Sequence, residues 1–312
     1  MLAAIDVGTN TVRLLLGRVT SDGLVPVEHH RVITRLGGGS SPEGNLSREA
    51  LDRTLQALAA FAGRANRAGV RWTRAVGTEA LRQAPNGPAF CRRVKAETGL
   101  SLEIVDGAEE ARLCARGILA GLSPKPVRCI LFDVGGGSTE IMLRSGGELA
   151  YRRSYPVGAV QLTESFPGDS EQRIHIAAVL RRIGADLERA GWGAGALDGF
   201  ALVGTAGTVT TLAALDLGLA EYDWRRVNNH FLITSGIRDT LGLLEGLPPE
   251  GREALAGMER GRGDLIVPGT RLVLGLMELF GRERLTVSDF GLLEGILLTG
   301  PGKEASFPGR SD

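Results

Sequence analysis

The sequence predicts an α/β protein built from two similarly folded halves, and three observations carry that reading. First, residues 129–143 read Cys-Ile-Leu-Phe-Asp-Val-Gly-Gly-Gly-Ser-Thr-Glu-Ile-Met-Leu. The apolar run Ile130, Leu131, Phe132 ends in Asp133, turns through Gly135, Gly136 and Gly137, and resumes from Thr139, the pattern of a hairpin with a polar tip. Second, Asp6-Val7-Gly8-Thr9-Asn10 repeats Asp-Val-Gly between apolar runs, and 127 residues separate Asp6 from Asp133. Third, each hairpin runs on into a third strand-like stretch, so a whole meander recurs. Glycines let backbone N–H groups turn towards an anion without Cβ interference, and Thr9, Asn10, Ser138 and Thr139 add polar side chains. Gly-Gly-Gly alone fits any tight β-turn. Two such loops at domain-scale separation point to halves that face each other across a phosphate.

At 312 residues the chain has room for about two domains, each with its own core. Apolar residues make up 43% and charged residues 23%, the balance of an ordinary globular protein. A net charge of +0 argues against nucleic-acid binding through a broad basic field, so any polyanion must be held by a local cluster. Cys91, Cys114 and Cys129 are scattered in apolar context and read as buried thiols in a reducing compartment. The four histidines show no metal-ligand spacing. Asp6 lies within the first apolar stretch and no run reaches membrane-span length, so a cytoplasmic protein without signal peptide or membrane contact is expected.

Along the chain, residues 2–5, 12–19 and 24–36 read as three successive strands joined by Gly8-Thr9-Asn10 and Ser21-Asp22-Gly23. A Rossmann start would place a helix after the first strand. Gly37, Gly38 and Gly39 open a loop. Ser47 can cap a helix to about residue 68, with Leu51, Leu55, Leu58 and Phe61 on one face. A strand over 70–76 delivers Gly77-Thr78-Glu79-Ala80-Leu81-Arg82 at its carboxyl end, where open α/β sheets hold ligands. Thr78 is expected to cap the next helix and Arg82 to sit one turn inside it, as a solvated arginine or as a cleft residue. A helix near 88–98 and a strand over 102–105 follow. Glu109 and Glu110 then open a helix to about residue 120. Acidic residues there ordinarily complement the helix dipole, but this is also where a general base would be mounted. Pro124-Lys125-Pro126 stiffens a connector and sets the expected boundary between domains 1–124 and 125–300.

In the second half, a third strand over 149–155 and a helix over about 171–190 follow the hairpin. A strand over 200–203 leads into Gly204-Thr205-Ala206-Gly207-Thr208, where Gly207 and Thr208 open a helix whose amides seek an anion; an ordinary capped turn shares that pattern. Residues 221–249 give a weak pattern, with Asn228, Asn229 and His230 as polar surface or groove positions. Helices over 249–262 and 264–280, a strand over 285–288, a helix over 290–299 and a disordered tail over 301–312 complete the chain.

These loops, in this order, resemble the exopolyphosphatase and guanosine pentaphosphate phosphohydrolase (Ppx/GppA) family, within the actin-like superfamily that also holds sugar kinases. The resemblance runs through Ala4 to Asn10, Val76-Gly77-Thr78-Glu79-Ala80-Leu81-Arg82, Asp106-Gly107-Ala108-Glu109-Glu110-Ala111-Arg112-Leu113, Phe132 to Glu140, Gly204 to Thr208, and Val287-Ser288-Asp289-Phe290-Gly291-Leu292-Leu293-Glu294-Gly295. It implies two actin-like (ribonuclease H-like) domains with a phosphate cleft between them. It further implies hydrolysis of a terminal phosphoanhydride in polyphosphate or guanosine pentaphosphate, the two being inseparable by sequence, with an ATP-dependent small-molecule kinase as the alternative. By the same resemblance Glu110 polarises the attacking water, Glu140 is a second carboxylate and Arg82 reaches phosphate oxygens. Asp6 and Asp133 hold Mg²⁺, and Gly8, Thr9, Asn10, Gly135, Gly136, Gly137 and Ser138 bind the terminal phosphates. A homodimer is also implied. Two departures stand out: Thr9 replaces a common serine and keeps the hydroxyl, while Leu293 stands where arginine is common. The length matches the family's short, two-domain form.

Overall fold

The computed structural model describes residues 1–21, 23–38, 41, 43–193 and 195–301. Asp22 and Gly39 of the expected turns, and the expected tail from residue 302 on, lie outside the described residues. The first lobe is built on the meander β1 (Leu2–Val7), β2 (Thr11–Thr20) and β3 (Gly23–Ile33), all antiparallel neighbours. Helix α1 (Arg48–Arg67) starts at Ser47, whose hydroxyl accepts the Ala50 N–H, and returns the chain to β4 (Trp72–Gly77), parallel to β1. The short α2 (Glu79–Gln83) and α3 (Gly87–Thr98) lead to β5 (Leu102–Ile104), and α4 (Gly107–Gly121) leaves the sheet, whose order is β3-β2-β1-β4-β5.

The second lobe repeats the plan. Its meander is β6 (Cys129–Val134), β7 (Thr139–Ser145) and β8 (Glu148–Tyr155), and α5 (Ala159–Ser165) and α6 (Asp169–Arg189) return the chain to β9 (Ala201–Thr205), parallel to β6. Then come α7 (Ala206–Asp216), α8 (Trp224–Val227), β10 (Phe231–Ile233), α9 (Thr234–Glu245), α10 (Pro249–Glu253), α11 (Ile266–Leu279), β11 (Arg284–Val287) and α12 (Leu292–Leu297). Read from the meander edge, this sheet runs β8-β7-β6-β9-β11, the first sheet's order with β10 added at the far side. Strands β1 and β6 sit mid-sheet with apolar residues covered on both faces, which is why each reads as a continuous apolar run.

Four expectations from sequence change. Strand β3 stops at Ile33 rather than 36, because Arg35 takes a positive φ of 45° and turns the chain. The helix expected over 249–262 ends at Glu253: Gly257 and Gly261 adopt left-handed conformations (φ 92° and 76°) that break it. The weak stretch 221–249 holds α8, β10 and α9, the last disguised by Gly236 and Gly242. Lastly, sequence order assigns 290–299 to the second domain, but α12 packs on the first. Leu292, Leu293, Ile296 and Leu297 are buried with Ala4, Leu15, Val76 and Leu113, each worth about 1.5–3 kcal/mol of transfer free energy. Helix α12 crosses α4 so closely that a Cβ on Gly117 would lie 1.8 Å from the Gly291 carbonyl oxygen, and one on Gly295 1.8 Å from that of Leu113.

The connector is anchored from the second lobe. Asn228 and Asn229 both donate to the Gly121 carbonyl (2.7 and 3.1 Å), and Asn229 accepts the Ser123 N–H at 3.0 Å. His230 pairs instead with Asp216 at 2.7 Å. Among the described residues, no helix is long and apolar enough to cross a membrane.

Candidate active site

The repeated hairpins place their polar groups by register. In the first, Asp6 on β1 lies directly opposite Arg13 on β2; in the second, Asp133 on β6 lies opposite Glu140 on β7. Each tip closes with the same backbone bond, Gly8 N–H to the Thr11 carbonyl at 3.0 Å and Gly135 N–H to the Ser138 carbonyl at 2.9 Å. The tips face each other across the lobes. A Cβ on Gly137 would lie 2.5 Å from the Thr9 hydroxyl, and one on Gly136 3.3 Å from Thr9 Cβ and 3.5 Å from the Asn10 nitrogen. A side chain at Gly137 would have to push the Thr9 hydroxyl aside, and one at Gly136 would crowd the same loop.

Between the tips is a cavity of about 90 Å³, the scale of one phosphate group. Gly8, Thr9, Asn10, Gly135, Gly136, Gly137, Ser138, Gly207 and Thr208 all line it, with Asp6, Asp133, Glu110 and Glu140 among them. Glu110 arrives on the first turn of α4, which Asp106 caps by accepting the Glu109 N–H at 2.7 Å. Glu140 accepts from the Ser154 hydroxyl at 2.7 Å.

Arg82 is the exception. Its Nη1 donates to Glu110 Oε2 and to the Val105 carbonyl, both at 2.9 Å, and its Nη2 bonds Glu79, so the guanidinium braces Glu110 from behind rather than lining the cavity. Thr78 occupies the expected N-cap position of α2 without capping it; its hydroxyl points to the Val7 carbonyl at 3.5 Å.

Two arginines escape sequence reading. Arg13 grips one Asp6 oxygen with Nε and Nη2 (2.9 and 2.5 Å). Its signal was available, because a hairpin turning at Gly8-Thr9-Asn10 necessarily sets residue 13 opposite residue 6. Arg262 had none: it follows the broken 249–262 helix and lays its guanidinium where a Gly207 Cβ would be, 1.9 Å from Nη2. It pairs with Glu259, and burial lowers its pKa to about 10. Ala206, beside it at the head of α7, holds a φ of 71°, a left-handed conformation that costs a residue with a side chain of order 1–3 kcal/mol and tends to persist at functional sites.

The electrostatics favour a cation. Burial pushes the carboxyl of Glu110 up to about 8 against the pull of Arg82; it also raises Asp133 against the pull of Cys114 and Arg13, and raises Glu140, where the charges of Glu110 and Asp133 add to it. Burial likewise keeps the Cys114 thiol protonated, and it donates to Asp133 Oδ2 at 3.0 Å. Asp6 Oδ1 and Asn10 Oδ1 are buried without a hydrogen-bond partner. Among the described residues, no three His, Cys, Asp or Glu side chains form a metal cage of their own. Mg²⁺ does not need one: it keeps several waters and takes one or two carboxylates plus substrate phosphates. Four crowded carboxyls and an orphaned Asp6 oxygen fit such an ion.

A second cavity, of about 680 Å³, shares Arg13, Asp133, Gly207 and Arg262 with the first and is walled by β3 residues, Tyr222, Trp224, Phe290 and Asp289. Leu293 lines its edge from the buried side of α12. An arginine there would displace apolar packing in the first lobe.

Two duplicated lobes that close glycine hairpins and buried carboxylates on a phosphate-sized cavity define a protein of the actin-like class shaped to handle phosphoryl groups. A family model described as the Ppx/GppA phosphatase family matches residues 16–303, and the chain belongs to that family. It is 33% identical over 324 residues to Exopolyphosphatase 2 of Mycobacterium tuberculosis, spanning 96% of this chain and 98% of that protein. Among solved structures, the Aquifex aeolicus Ppx/GppA family member superposes with a TM-score of 0.79 at 30% identity, over 96% of both chains. An exopolyphosphatase from Cytophaga hutchinsonii gives 0.84 at 27% identity, also over 96% of both.

Proposed function

We propose that the chain is an exopolyphosphatase, hydrolysing the terminal phosphoanhydride of inorganic polyphosphate. One observation carries the reading: the two glycine tips and the carboxylates of both lobes converge on a single cavity of phosphate size. Hydrolysis of this kind demands charge neutralisation and alignment more than covalent help. Amides of the two tips, with Thr9, Asn10 and Ser138, bind the terminal phosphates. Asp6 and Asp133 would hold Mg²⁺, which when bound neutralises phosphate oxygens and draws the neighbouring carboxyls towards ionisation. Glu110 accepts a proton from the attacking water, with Arg82 fixing the carboxylate's orientation. Water oxygen bonds to the terminal phosphorus, the bond from that phosphorus to the bridging oxygen breaks, and its electron pair stays on the shortened chain.

Guanosine pentaphosphate is a second substrate on this reading, favoured by the aromatic wall of the larger cavity, where Trp224 and Tyr222 offer a base something to stack on. The three free cysteines support a cytoplasmic setting. The test is phosphate release from long polyphosphate, tripolyphosphate, guanosine pentaphosphate and ATP, with Mg²⁺ and with chelator. Release from polyphosphate without any acceptor is expected. ADP formed only when an alcohol acceptor is supplied would instead make the protein a kinase.

A further inference from the structure

We propose that Cys114 is a positioning residue for the hydrolytic reaction: its thiol aims the Asp133 carboxylate at the bound cation and fixes that ligand relative to Glu110. The inference rests on the polyphosphate-hydrolase reading above. Cys114 lies one helical turn beyond Glu110 on α4, and residues four apart share a helix face, about 6 Å from each other along the axis. One rigid element therefore carries both the base and the group that holds the metal ligand.

Helix α4 has little freedom to shift. Ala111, Cys114, Ala115 and Ile118 are buried with Cys129 and Leu131 of β6, Met142 of β7 and Val203 of β9, while Leu113 is buried with Ala4, Leu15 and Val76 of the first lobe. Alternation along β6 does the rest. Cys129 and Leu131 share the core of α4, whereas Ile130, Phe132 and Val134 belong to the core on the opposite face. Asp133 continues the α4 side at the end of the strand, where Cys114 Sγ donates to its Oδ2 at 3.0 Å.

The paired aspartates of the two hairpins are held in opposite ways. In the first lobe Arg13 brings two N–H donors and a positive charge to Asp6 Oδ2, at 2.9 and 2.5 Å, and Asp6 Oδ1 is buried without a partner. In the second, a neutral thiol orients Oδ2 without cancelling the carboxylate's charge, and Asp133 makes no ion pair among the described residues. A hard cation is drawn to the less compensated carboxylate, so Asp133 is its stronger ligand and the orientation of Asp133 decides where the cation stands. Among the described residues, Cys114 is also the one side chain that donates a hydrogen bond to Asp133. Without that donor the carboxylate keeps its charge but loses its aim.

The test compares wild type with Cys114→Ser, Cys114→Ala and Cys114→Val in two readouts. One is binding of Mn²⁺, a paramagnetic substitute for Mg²⁺, in the presence of methylenediphosphonate; the other is the Mg²⁺ concentration that gives half-maximal hydrolysis of tripolyphosphate. Losing a group that orients a metal ligand costs about 10- to 100-fold in metal affinity, and because a thiol is a weak donor Cys114→Ala should fall at the lower end, about tenfold, in both readouts. Cys114→Val refills the space without supplying a donor and should be as weak as alanine, while Cys114→Ser keeps a donor and should stay close to wild type. Alanine opens a void and valine does not, so a folding defect in one leaves the other to decide. Wild-type metal affinity in either donor-less variant, or a serine variant as weak as alanine, overturns the positioning role. A wild type that binds Mn²⁺ but releases no phosphate from polyphosphate would instead sink the hydrolase reading, with the order of Mn²⁺ affinities still judging Cys114.

Discussion

Glu110→Gln is the sharpest test of the catalytic assignment. Glu110 is buried on the first turn of α4, and its Oε2 accepts from Arg82 at 2.9 Å. Glutamine has the same shape and can still accept that bond through its carbonyl oxygen, so the brace, the helix start and the cavity wall survive. What disappears is the ability to take a proton from water. A positioned base contributes about 10² to 10⁴ in rate, equivalent to roughly 3 to 5 kcal/mol of barrier. Because the phosphate-binding amides belong to the two tips and not to α4, the loss should appear in kcat with KM little changed. The assay is steady-state phosphate release from tripolyphosphate with Mg²⁺, backed by single-turnover measurement to exclude slow product release. A variant retaining more than about a tenth of wild-type turnover would remove Glu110 from the role, since no positioned base is worth so little.

Two further expectations follow from the same geometry. In chelator, thermal stability should fall as pH rises through the window between the ordinary glutamate value and about 8: Glu110 binds its proton more tightly folded than unfolded, so the stability is complete below that window and lost across it. Glu110→Gln should flatten the slope, and a melting profile rising over that range would contradict the burial argument. Gly117→Ala forces a Cβ to within 1.8 Å of the Gly291 carbonyl oxygen, a backbone atom that cannot rotate aside. It should cost about 3 kcal/mol or more in urea unfolding, at the upper end of overpacking penalties, and unchanged stability would mean that α12 does not dock on α4 as described.

Much of the site is local in sequence, and that part was legible. A strand, an Asp-Gly turn and a returning strand need only near neighbours to form, so Asp6 to Asn10 and Asp133 to Ser138 declare themselves, as does Glu110 at the start of a helix. Arg82 shows the limit. Its position on α2 was readable, but whether its guanidinium meets phosphate or braces Glu110 depends on α4, 28 residues further on. Thr78 shows it too, since the Val7 carbonyl competes for its hydroxyl with the helix it was expected to cap.

The sequence by itself determined the two repeated meanders, the composition of the phosphate tips and their order along the chain, because hydrogen bonds between adjacent strands and turn conformations are set within a dozen residues. Only the tertiary structure decided that the tips touch, that Arg262 swings under Gly207, and that α12 returns to the first lobe. Each of those is a contact between segments 55 or more residues apart or a packing choice among several apolar faces. Such choices are made by the total surface buried and by how closely glycines let backbones approach, and no local pattern records them.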